Sequence, residues 1–306
     1  MLCTLTMNPA LDYVVTVPDF AAGKTNRTTG ETLLPGGKGI NAAIVAARLG
    51  CAAAALGFEA GFTGRELTAR LRELGVAAEL THLDTGCTRI NVKLKNLDAT
   101  EINARGPEIP AERLRELTAR LEALTPSDML LLAGSVPKGV PESLYRDILR
   151  RMAEKRVPTA VDAAGELLRQ ALPLEPFLIK PNRQELGELF GTAIRSRDEA
   201  IPYAVRLREE GARNVLVSLG GEGAVLADGE GAVWSAAAPD GRLINAVGAG
   251  DSMVAGFLAG WTESGSYESA FRTAVAAGSA AAFSEWLPEA ESIRALAERV
   301  QITEIE

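Results

Sequence analysis

The sequence predicts an α/β protein whose mostly parallel sheet is covered by helices on both faces. From residue 111 onward, short apolar segments alternate with helical segments, the order expected of parallel strands joined by helical crossovers. Two stretches with period-two alternation, near residues 12–34 and 87–106, break this order and predict a small second sheet. The 306 residues are 47% hydrophobic and 24% charged, which excludes wholesale disorder and leaves enough apolar surface for a large core.

Before residue 110, the predicted elements follow one another less regularly. The opening residues 2–6 are predicted as a buried strand that stops at Asn8-Pro9. Helical spacing predicts helices over residues 39–49 and 64–74, and the apolar run between them predicts a strand over residues 52–56. The remaining β-prone segments are expected to form the small sheet, and they are residues 13–17, 28–34, 88–95 and 100–104.

After residue 110, helices and strands alternate along the chain. Helical spacing predicts helices over residues 111–124, 141–155, 183–190, 199–210, 250–261, 267–283 and 289–300. Apolar runs predict strands over residues 129–132, 157–161, 177–179 and 215–218, followed by glycine-marked hairpin strands between residues 223 and 235. We expect residues 1–306 to form a single unit that carries the inserted small sheet.

Charge and cysteine content exclude several classes of function. The chain has 32 basic and 40 acidic side chains, a net charge of −8, and therefore lacks the basic excess that nucleic-acid binding requires. Its three cysteines are scattered and odd in number, and no signal-peptide pattern is visible, so we expect a cytoplasmic protein. The longest apolar stretch, residues 41–58, contains Arg48 and Gly50 and predicts a buried helix and strand rather than a membrane span. A single histidine, His82, excludes a multi-histidine metal site and is read as a surface or structural residue.

The first of two glycine-rich segments reads PGGKGIN over residues 35–41 and precedes a predicted helix. Its three glycines allow a ligand to approach the backbone, and the free amides of a helix start suit an anion or a sugar hydroxyl. The segment matches neither the P-loop nor the dinucleotide-binding pattern. A plain glycine turn before a core helix explains the same residues.

The second glycine-rich segment reads AVGAGDS over residues 246–252 and leads into an apolar helix. The amides of residues 249–251 would lie at a helix N-terminus, where a phosphoryl group binds well. Asp251 could accept a proton there from a hydroxyl that attacks phosphorus in line. The alternative is an ordinary aspartate that complements the helix dipole.

Two further segments follow predicted strands. The first reads KPNRQE over residues 180–185, and its Asn182 and Glu185 could either organise water around Mg²⁺ or form a plain capping box. The second reads SLGGEG over residues 218–223 and lies at the carboxyl end of a strand, where ligands bind in parallel sheets. A β-turn explains this second segment equally well.

Three single residues complete the set of candidates. Asp12 could bind sugar hydroxyls or could merely cap the chain locally. Arg89 lies on a period-two strand, and its guanidinium could hold a phosphate with two hydrogen bonds or simply be exposed. Ser135 follows another strand and could contact a substrate or only turn the chain.

These segments together, in this order and over essentially the whole chain, resemble the ribokinase-like (PfkB) family of carbohydrate kinases. The resemblance rests on NPALD at residues 8–12, TRINVKL at residues 88–94, GSVPKG at residues 134–139 and the four segments described above. It implies a three-layer ribokinase-like core with a small β-sheet lid, which the period-two segments supply. It also implies transfer of the γ-phosphate of ATP to a sugar-phosphate hydroxyl, with Mg²⁺ as the metal.

The resemblance implies roles for individual residues. Asp251 matches the catalytic base, and the amides of Gly248, Ala249 and Gly250 match an anion hole for the transferring group. The positions that match the nucleotide site are Lys180, Ser218, Gly220, Gly221, Glu222 and Gly223, and Mg²⁺ would be held through water by Asn182 and Glu185. The positions that match the sugar-phosphate site are Asp12, Arg27, Gly37, Lys38, Gly39, Asn41, Arg89 and Ser135, of which Arg27 could act across a dimer.

Within the family, NPALD, TRINVKL and VGAGDSM are most similar to the 1-phosphofructokinase branch, with the tagatose-6-phosphate kinases as the alternative. Family lids often pack against each other, which would bury their apolar faces, so we expect a homodimer. Arg89 and the lysine of the first glycine segment disfavour a neutral sugar or nucleoside substrate. A non-catalytic sugar-phosphate sensor is the remaining alternative, although the intact GAGD segment argues against it.

Overall fold

A ten-stranded sheet and a separate four-stranded sheet organise the chain in the computed structural model, which describes residues 1–95, 97 and 100–305. In chain order, the strands are β1 (Leu2–Thr6), β2 (Ala10–Thr16), β3 (Gly30–Gly36), β4 (Ala53–Ala60), β5 (Ala77–Leu83), β6 (Arg89–Leu94), β7 (Thr100–Asn103), β8 (Met129–Ala133), β9 (Thr159–Asp162), β10 (Leu178–Ile179), β11 (Val215–Ser218), β12 (Ala224–Ala227), β13 (Val233–Ala236) and β14 (Ile302–Ile305). The helices are α1 (Lys38–Arg48), α2 (Gly61–Glu73), α3 (Ala111–Leu121), α4 (Leu144–Glu154), α5 (Glu166–Ala171), α6 (Arg183–Phe190), α7 (Arg197–Glu209), α8 (Ala249–Ser264), α9 (Tyr267–Ala282) and α10 (Ala290–Ala297).

The large sheet has the strand order β14-β13-β12-β11-β10-β9-β8-β1-β4-β5. Its strands from β5 to β11 pair in parallel, and β12, β13 and β14 extend it with antiparallel pairs. The parallel strands are apolar throughout at the centre, as in β8, because helices cover both faces of the sheet. Their carboxyl ends therefore lie along one edge, which is where ligands bind in such sheets.

The core consists of two apolar layers, one on each face of the large sheet. Helices α1, α2, α8, α9 and α10 pack on one face, and helices α3 to α7 pack on the other. Small residues let α8 and α9 approach closely, since a Cβ atom at Gly256 would lie 2.7 Å from the carbonyl oxygen of Thr273. This close contact fixes the position of the α8 N-terminus, which carries the second glycine-rich segment.

The small sheet, called the lid sheet below, has the strand order β3-β2-β6-β7. Because side chains alternate along each strand, its two faces differ in chemistry. Asp12 on β2 pairs in register with Asn91 on β6 and lies on the polar face. Leu11 and Ile90, which also pair in register, lie on the opposite, apolar face. The lid sheet therefore presents polar groups in one direction and apolar groups in the other.

The predicted fold class is confirmed, while several element boundaries differ from the prediction. Strand β4 continues through Gly57 to Ala60 and α2 begins at Gly61, because pairing with β5 extends the strand past a glycine that weakens its local signal. Three elements, β5, α5 and β14, were not predicted from the sequence. Strands β5 and β14 lie at the sheet edges and carry exposed polar residues, and α5 is only six residues long. None of the helices in the described part of the chain is long and apolar enough to cross a bilayer.

Candidate active site

The carboxyl edge of the parallel strands faces the N-termini of two helices. Strand β9 ends in Asp162, Lys180 directly follows β10, and Ser218 ends β11. The two glycine-rich segments start α1 and α8, so they lie at the same place despite being about 200 residues apart in sequence. The structure thus brings the predicted motifs together at one site.

Asp251 lies in the first turn of α8 and is only 8% exposed. Its Oδ2 accepts a hydrogen bond of 2.8 Å from Nδ2 of Asn41, on α1. No ion pair within 4 Å involves this carboxylate among the described residues, and Oδ1 accepts no hydrogen bond from them. Asp251 is therefore held in place by a neutral donor, with one oxygen left for a further partner.

The environment of Asp251 makes it a stronger base than an ordinary carboxylate. Burial raises its pKa to about 6, and the negative charge of Asp162 acts in the same direction. The hydrogen bond from Asn41 and the charges of Lys38 and Lys180 oppose this rise. A carboxylate with a pKa near 6 is still ionised at neutral pH, yet it accepts a proton more readily than an exposed one.

Two lysines share Asp162 as their counter-ion. The Nζ atoms of Lys38 and Lys180 each lie 3.4 Å from Oδ1 of Asp162, a buried carboxylate. Burial raises the pKa of Asp162, but the two ammonium groups outweigh this effect and hold the pKa below its ordinary value. The lysines consequently place two positive charges beside Asp251 without engaging it directly.

The sequence analysis did not identify Asp162. Its position at the carboxyl end of a predicted strand, between two motif-bearing strands, was the available signal. A single aspartate after a strand is common, however, so only the three-dimensional contacts with the two lysines distinguish it.

The start of α8 is shaped to receive an anion. Gly248 caps the helix with φ +81°, a conformation that glycine adopts without strain. The Ala249 amide donates only a long hydrogen bond of 3.3 Å to Ala246, and the next amides lie in the first turn, where a helix offers no acceptor for them. A Cβ atom at Gly250 would lie 3.3 Å from Nζ of Lys180, so the glycine lets the helix start approach this ammonium group.

A cleft of about 1310 Å³ opens beside this helix start. Predicted nucleotide residues line it on one side, namely Asn182, Ser218, Gly220, Gly221 and Gly223. The opposite side is formed by α8, α9 and the segment 238–246, which includes Gly241 packed flat against the ring of Phe283. The combination of an apolar wall and a glycine-rich turn suits a flat base with phosphates attached.

Glu222 does not line this cleft, and neither do Lys180 and Glu185. Its Oε1 lies 2.5 Å from the guanidinium of Arg183, and its Oε2 accepts a hydrogen bond of 3.1 Å from the Arg197 amide. The carboxylate thus fastens the 220–223 turn to the starts of α6 and α7. The ion pair gives this carboxylate a structural partner, and the nucleotide contact predicted for Glu222 stays a prediction.

Asn182 and Glu185 form a capping box, which was one of the two alternatives that the sequence allowed. Oδ1 of Asn182 accepts from the Glu185 amide at 2.9 Å, and Oε2 of Glu185 accepts from the Asn182 amide at 2.8 Å. Oε1 of Glu185 accepts no hydrogen bond from the described residues, and the charge of this carboxylate raises the pKa of Lys38. Glu185 therefore caps α6 and also lies close enough to Lys38 for their charges to interact.

The polar face of the lid sheet carries two of the predicted sugar-phosphate residues, Asp12 and Arg89. Oδ1 of Asp12 accepts from Asn91 at 2.9 Å, and Oδ2 lies 2.9 Å from Nζ of Lys93. Nε of Arg89 donates to the carbonyl oxygen of Asn8 at 3.1 Å. Burial lowers the pKa of this guanidinium, and the nearby charge of Asp12 offsets only part of that effect. Neither Asn91 nor Lys93 was singled out from the sequence.

The other predicted substrate residues are placed as follows. Gly37 has φ +119°, and a Cβ atom at Gly39 would lie 2.5 Å from Oγ1 of Thr6, so these glycines let α1 start against β1. Ser135 is exposed just after β8, next to Gly134, whose amide donates to the carbonyl oxygen of Asp162. Arg27 is exposed in the loop between β2 and β3 and forms no ion pair with the described residues of its own chain.

One ion pair joins the lid sheet to the core. Nζ of Lys95, just after β6, lies 3.3 Å from Oε2 of Glu285. The carbonyl oxygen of Glu285 accepts a hydrogen bond of 3.1 Å from Nδ2 of Asn245, in the segment that leads to Gly248. The end of the lid sheet is thereby connected to the segment between the cleft and the start of α8.

Comparison with known proteins agrees with this geometry. Residues 5–285 match the model of the pfkB family carbohydrate kinases. The chain is 45% identical over 305 residues to a protein of Bacillus subtilis named 1-phosphofructokinase, and 34% identical over 306 residues to one of Bacillus licheniformis named D-tagatose-1-phosphate kinase, with 100% of each chain covered. The structure of phosphofructokinase-2 from Escherichia coli in complex with substrates and products superposes with a TM-score of 0.90 at 29% identity, covering 97% of this chain and 98% of that one. This chain belongs to the pfkB family of carbohydrate kinases and is a phosphotransferase.

Proposed function

We propose that this enzyme phosphorylates fructose 1-phosphate with ATP and yields fructose 1,6-bisphosphate and ADP. One observation carries the proposal: Asp251 is buried at the start of α8, hydrogen-bonded by Asn41 and not neutralised by either lysine. This arrangement suits a base that acts between the nucleotide cleft and the lid sheet. The relatives named 1-phosphofructokinase and D-tagatose-1-phosphate kinase support a ketohexose 1-phosphate as the acceptor.

In the proposed reaction, Oδ1 of Asp251 accepts the proton of the C6 hydroxyl. The hydroxyl oxygen forms a bond to the γ-phosphorus while the bond between that phosphorus and the β-γ bridging oxygen breaks, and ADP leaves with the electron pair. Transfer is direct, with no phosphorylated enzyme. The pKa of about 6 suits this role, because the carboxylate is ionised before transfer and gains basicity from its burial.

Positive groups around Asp251 stabilise the charge on the transferring phosphoryl group. In the free enzyme, Lys38 and Lys180 form ion pairs with Asp162, which balances part of their charge. The amides of Gly248, Ala249 and Gly250 add the positive end of the α8 dipole. Phosphate oxygens entering the site would share these donors with Asp162, so that little rearrangement is needed on binding.

The residues present fit a Mg²⁺ ion that arrives with ATP. The described residues contain no cluster of three carboxylate, histidine or cysteine ligands that would form a protein-only metal site. Glu185 has one carboxylate oxygen outside the capping box and lies within charge range of Lys38, which suits a hydrated Mg²⁺ shared with phosphate oxygens. When bound, Mg²⁺ would neutralise charge on the β- and γ-phosphates, and Asn182 and Glu185 would hold it through water.

The substrate phosphate and the sugar hydroxyls are proposed to bind at separate points. Arg89 anchors the phosphate, with Arg27 of a neighbouring subunit or Lys38 as further cations. Asp12 and Asn41 receive hydroxyl groups, and the backbone of Gly37, Gly39 and Ser135 borders the sugar. This division follows from charge, since Asp12 repels a phosphate and Arg89 attracts one.

We further propose that the enzyme is a homodimer through the lid sheet and acts in the cytoplasm. The apolar face of the lid sheet forms a groove with α2, lined by Leu11, Leu33, Phe62 and Ile90, and Phe62 is 65% exposed. Pairing of two such faces would remove this apolar surface from water and would bring the Arg27 loop of one chain towards the other. The cysteines Cys3, Cys51 and Cys87 are free, which agrees with a reducing compartment.

A substrate panel tests the proposed function. ATP consumption is measured with fructose 1-phosphate, tagatose 1-phosphate, tagatose 6-phosphate, fructose 6-phosphate, ribose and adenosine. The proposal expects the highest kcat/KM with fructose 1-phosphate. Preference for tagatose 1-phosphate would support the second candidate, a tagatose-1-phosphate kinase, which the relative of that name favours. Preference for tagatose 6-phosphate, ribose or adenosine would contradict the proposal, and absence of turnover with every sugar would indicate a sensor.

A further inference from the structure

The polar face of the lid sheet holds a buried asparagine whose carbonyl oxygen has no partner. Asn91 is only 7% exposed, and its Nδ2 donates to Oδ1 of Asp12 at 2.9 Å. Its Oδ1 is buried and accepts no hydrogen bond from the described residues. Because an unpaired buried acceptor is costly, and because the neighbouring Asp12 faces the sugar site, this oxygen calls for a donor that the free chain does not supply.

The structure holds Asp12 in one orientation beside this oxygen. Asn91 and Lys93, on the same strand, bind its two carboxylate oxygens separately, and Lys93 is itself 3.5 Å from Glu101. A Cβ atom at Gly36 would lie 2.5 Å from Cγ of Asp12, so only glycine leaves room for the carboxylate. Each carboxylate oxygen has two lone-pair sites, so each keeps one for a further donor.

We infer that Asn91 determines substrate specificity by accepting a hydrogen bond from one sugar hydroxyl while it holds Asp12 for a neighbouring hydroxyl. This inference rests on the proposed function and names the chemistry of its sugar site. Both acceptors require donors, and the negative charge of Asp12 excludes a phosphate, so the complementary ligand is a pair of adjacent hydroxyls. Asn91 and Asp12 stand in register on parallel strands about 4.8 Å apart, close enough for both to contact one sugar ring.

Lys93 acts on the same site as a positioning residue. Its ammonium group faces Asp12 and Glu101, so its charge is already balanced by two carboxylates. It therefore fixes the Asp12 carboxylate rather than binding the substrate phosphate. The network from Glu101 through Lys93 and Asp12 to Asn91 gives the sugar site a rigid set of acceptors.

The test is a double-mutant cycle between Asn91→Leu and substrates that lack one hydroxyl. The probes are fructose 1-phosphate and its 3-deoxy and 4-deoxy analogues, and the readout is kcat/KM together with its division into kcat and KM. In the wild type, removal of the recognised hydroxyl is expected to lower kcat/KM about tenfold. In Asn91→Leu, kcat/KM for fructose 1-phosphate is expected to fall about tenfold, through a higher KM. Removal of the same hydroxyl from the substrate should then lower kcat/KM of this variant by no more than a further twofold.

Asn103→Leu is the matched control. Asn103, on β7, pairs in register with Asn91 but is exposed, and Glu101 is the one hydrogen-bond partner of its side-chain amide among the described residues. We expect kcat/KM of this variant for fructose 1-phosphate to differ from the wild type by less than twofold. Each deoxy analogue should lower kcat/KM of the variant by the same factor as in the wild type. Lys93→Met is expected to raise KM for all three substrates, because it loosens Asp12 without removing the Asn91 oxygen.

The inference is overturned if each missing hydroxyl lowers kcat/KM by the same factor in Asn91→Leu as in the wild type. The effects of the substitution and of the missing hydroxyl would then be independent, and Asn91 would act only on structure or bind water. ATP affinity, which depends on the core, reports whether the variant is folded. Should Asn91→Leu not fold, Asn91→Ser is used instead. A reduced penalty for the missing hydroxyl in that variant supports the inference, and an unchanged penalty overturns it. Failure of the proposed function is recognised separately, because it shows in the wild type with fructose 1-phosphate, and the cycle then uses deoxy analogues of the sugar phosphate that the panel identifies.

Discussion

Asn41 and Asp251 are 210 residues apart in sequence and are joined by a hydrogen bond of 2.8 Å between Nδ2 and Oδ2. This bond connects the start of α1 to the start of α8 and makes the two glycine-rich segments parts of one site. It also occupies one oxygen of the buried carboxylate and leaves Oδ1 for a substrate hydroxyl. The orientation of the proposed base is therefore set by a neutral amide. This hydrogen bond lowers the pKa of Asp251, but burial outweighs it and the pKa stays above its ordinary value.

Replacement of Asp251 by asparagine is expected to abolish most of the turnover. Removal of a positioned base lowers kcat roughly 10²–10⁴-fold, whereas the cleft that holds the nucleotide is unchanged, so the affinity for ATP should stay within about twofold. The measurement is steady-state kcat with ATP titration by fluorescence. Asp198→Asn is the control, because Asp198 also lies in the first turn of a helix but is exposed. Near-native kcat in Asp251→Asn would refute the role of base.

The pH dependence of kcat/KM should follow the ionisation of Asp251. Its pKa of about 6 means that activity falls as the pH drops through 6, because protonation removes the acceptor for the hydroxyl proton. The second ionisation of a phosphate monoester lies near the same pH, so the wild-type profile alone does not identify the group. In Lys38→Met, loss of a nearby positive charge should move the acidic limb to higher pH. An unmoved limb would assign the ionisation to the substrate.

Asp162→Asn should destabilise the free enzyme more than the ATP complex. Lys180 is only 4% exposed, and without the carboxylate its charge would lack a buried counter-ion. Such a loss costs about 3–5 kcal/mol and should lower Tm by roughly 5–10 °C. The phosphates of ATP can replace the missing charge, so thermal denaturation should show a larger rise of Tm with ATP in the variant than in the wild type. Equal rises would mean that the lysines do not contact the phosphates.

Arg89→Ala should raise KM for the sugar phosphate with little change in kcat. Loss of a charge-assisted contact to the phosphate predicts a rise of about 100-fold. Unphosphorylated fructose serves as the control substrate, since it has no phosphate and its low kcat/KM should not change. The measurement is initial rate against substrate concentration. An unchanged KM would move the phosphate anchor to Arg27 or Lys38.

Charge reversal at the contact between Lys95 and Glu285 should affect the lid and leave stability unaltered. Both side chains are largely exposed, so the pair contributes less than about 1 kcal/mol to stability, and Tm of Lys95→Glu should match the wild type. Because the pair joins the lid sheet to the segment before Gly248, we expect KM for the sugar phosphate to rise about two- to fivefold. The doubly reversed variant, Lys95→Glu with Glu285→Lys, should restore it, and failure to do so would show that the contact does not hold the lid.

The sequence predicted those parts of the site that are continuous along the chain. The glycine-rich segments at residues 35–41 and 246–252 combine flexible backbone with a helix start, so their local pattern already indicates an anion site. Asp162, Asn91 and Lys93 have no such pattern around them, and each resembles an ordinary strand residue until its partners are known. Glu222 is a different case, because its motif predicted a nucleotide contact, whereas only the structure shows that its carboxylate pairs with Arg183.

By itself, the sequence determined the periodicity of the strands and helices, the places where glycine frees the backbone, and the presence of a carboxylate next to a helix start. Only the tertiary structure decided which charges meet. Residues 38, 162 and 251 lie in three separate elements, and Lys180 directly follows a fourth. The strand order puts β9 beside β10 and so brings Lys180 to Asp162, while the packing of α1 brings Lys38 to Asp162 and Asn41 to Asp251. The physical reason is that electrostatic energy depends on distance and burial, neither of which is encoded in the spacing of residues along the chain.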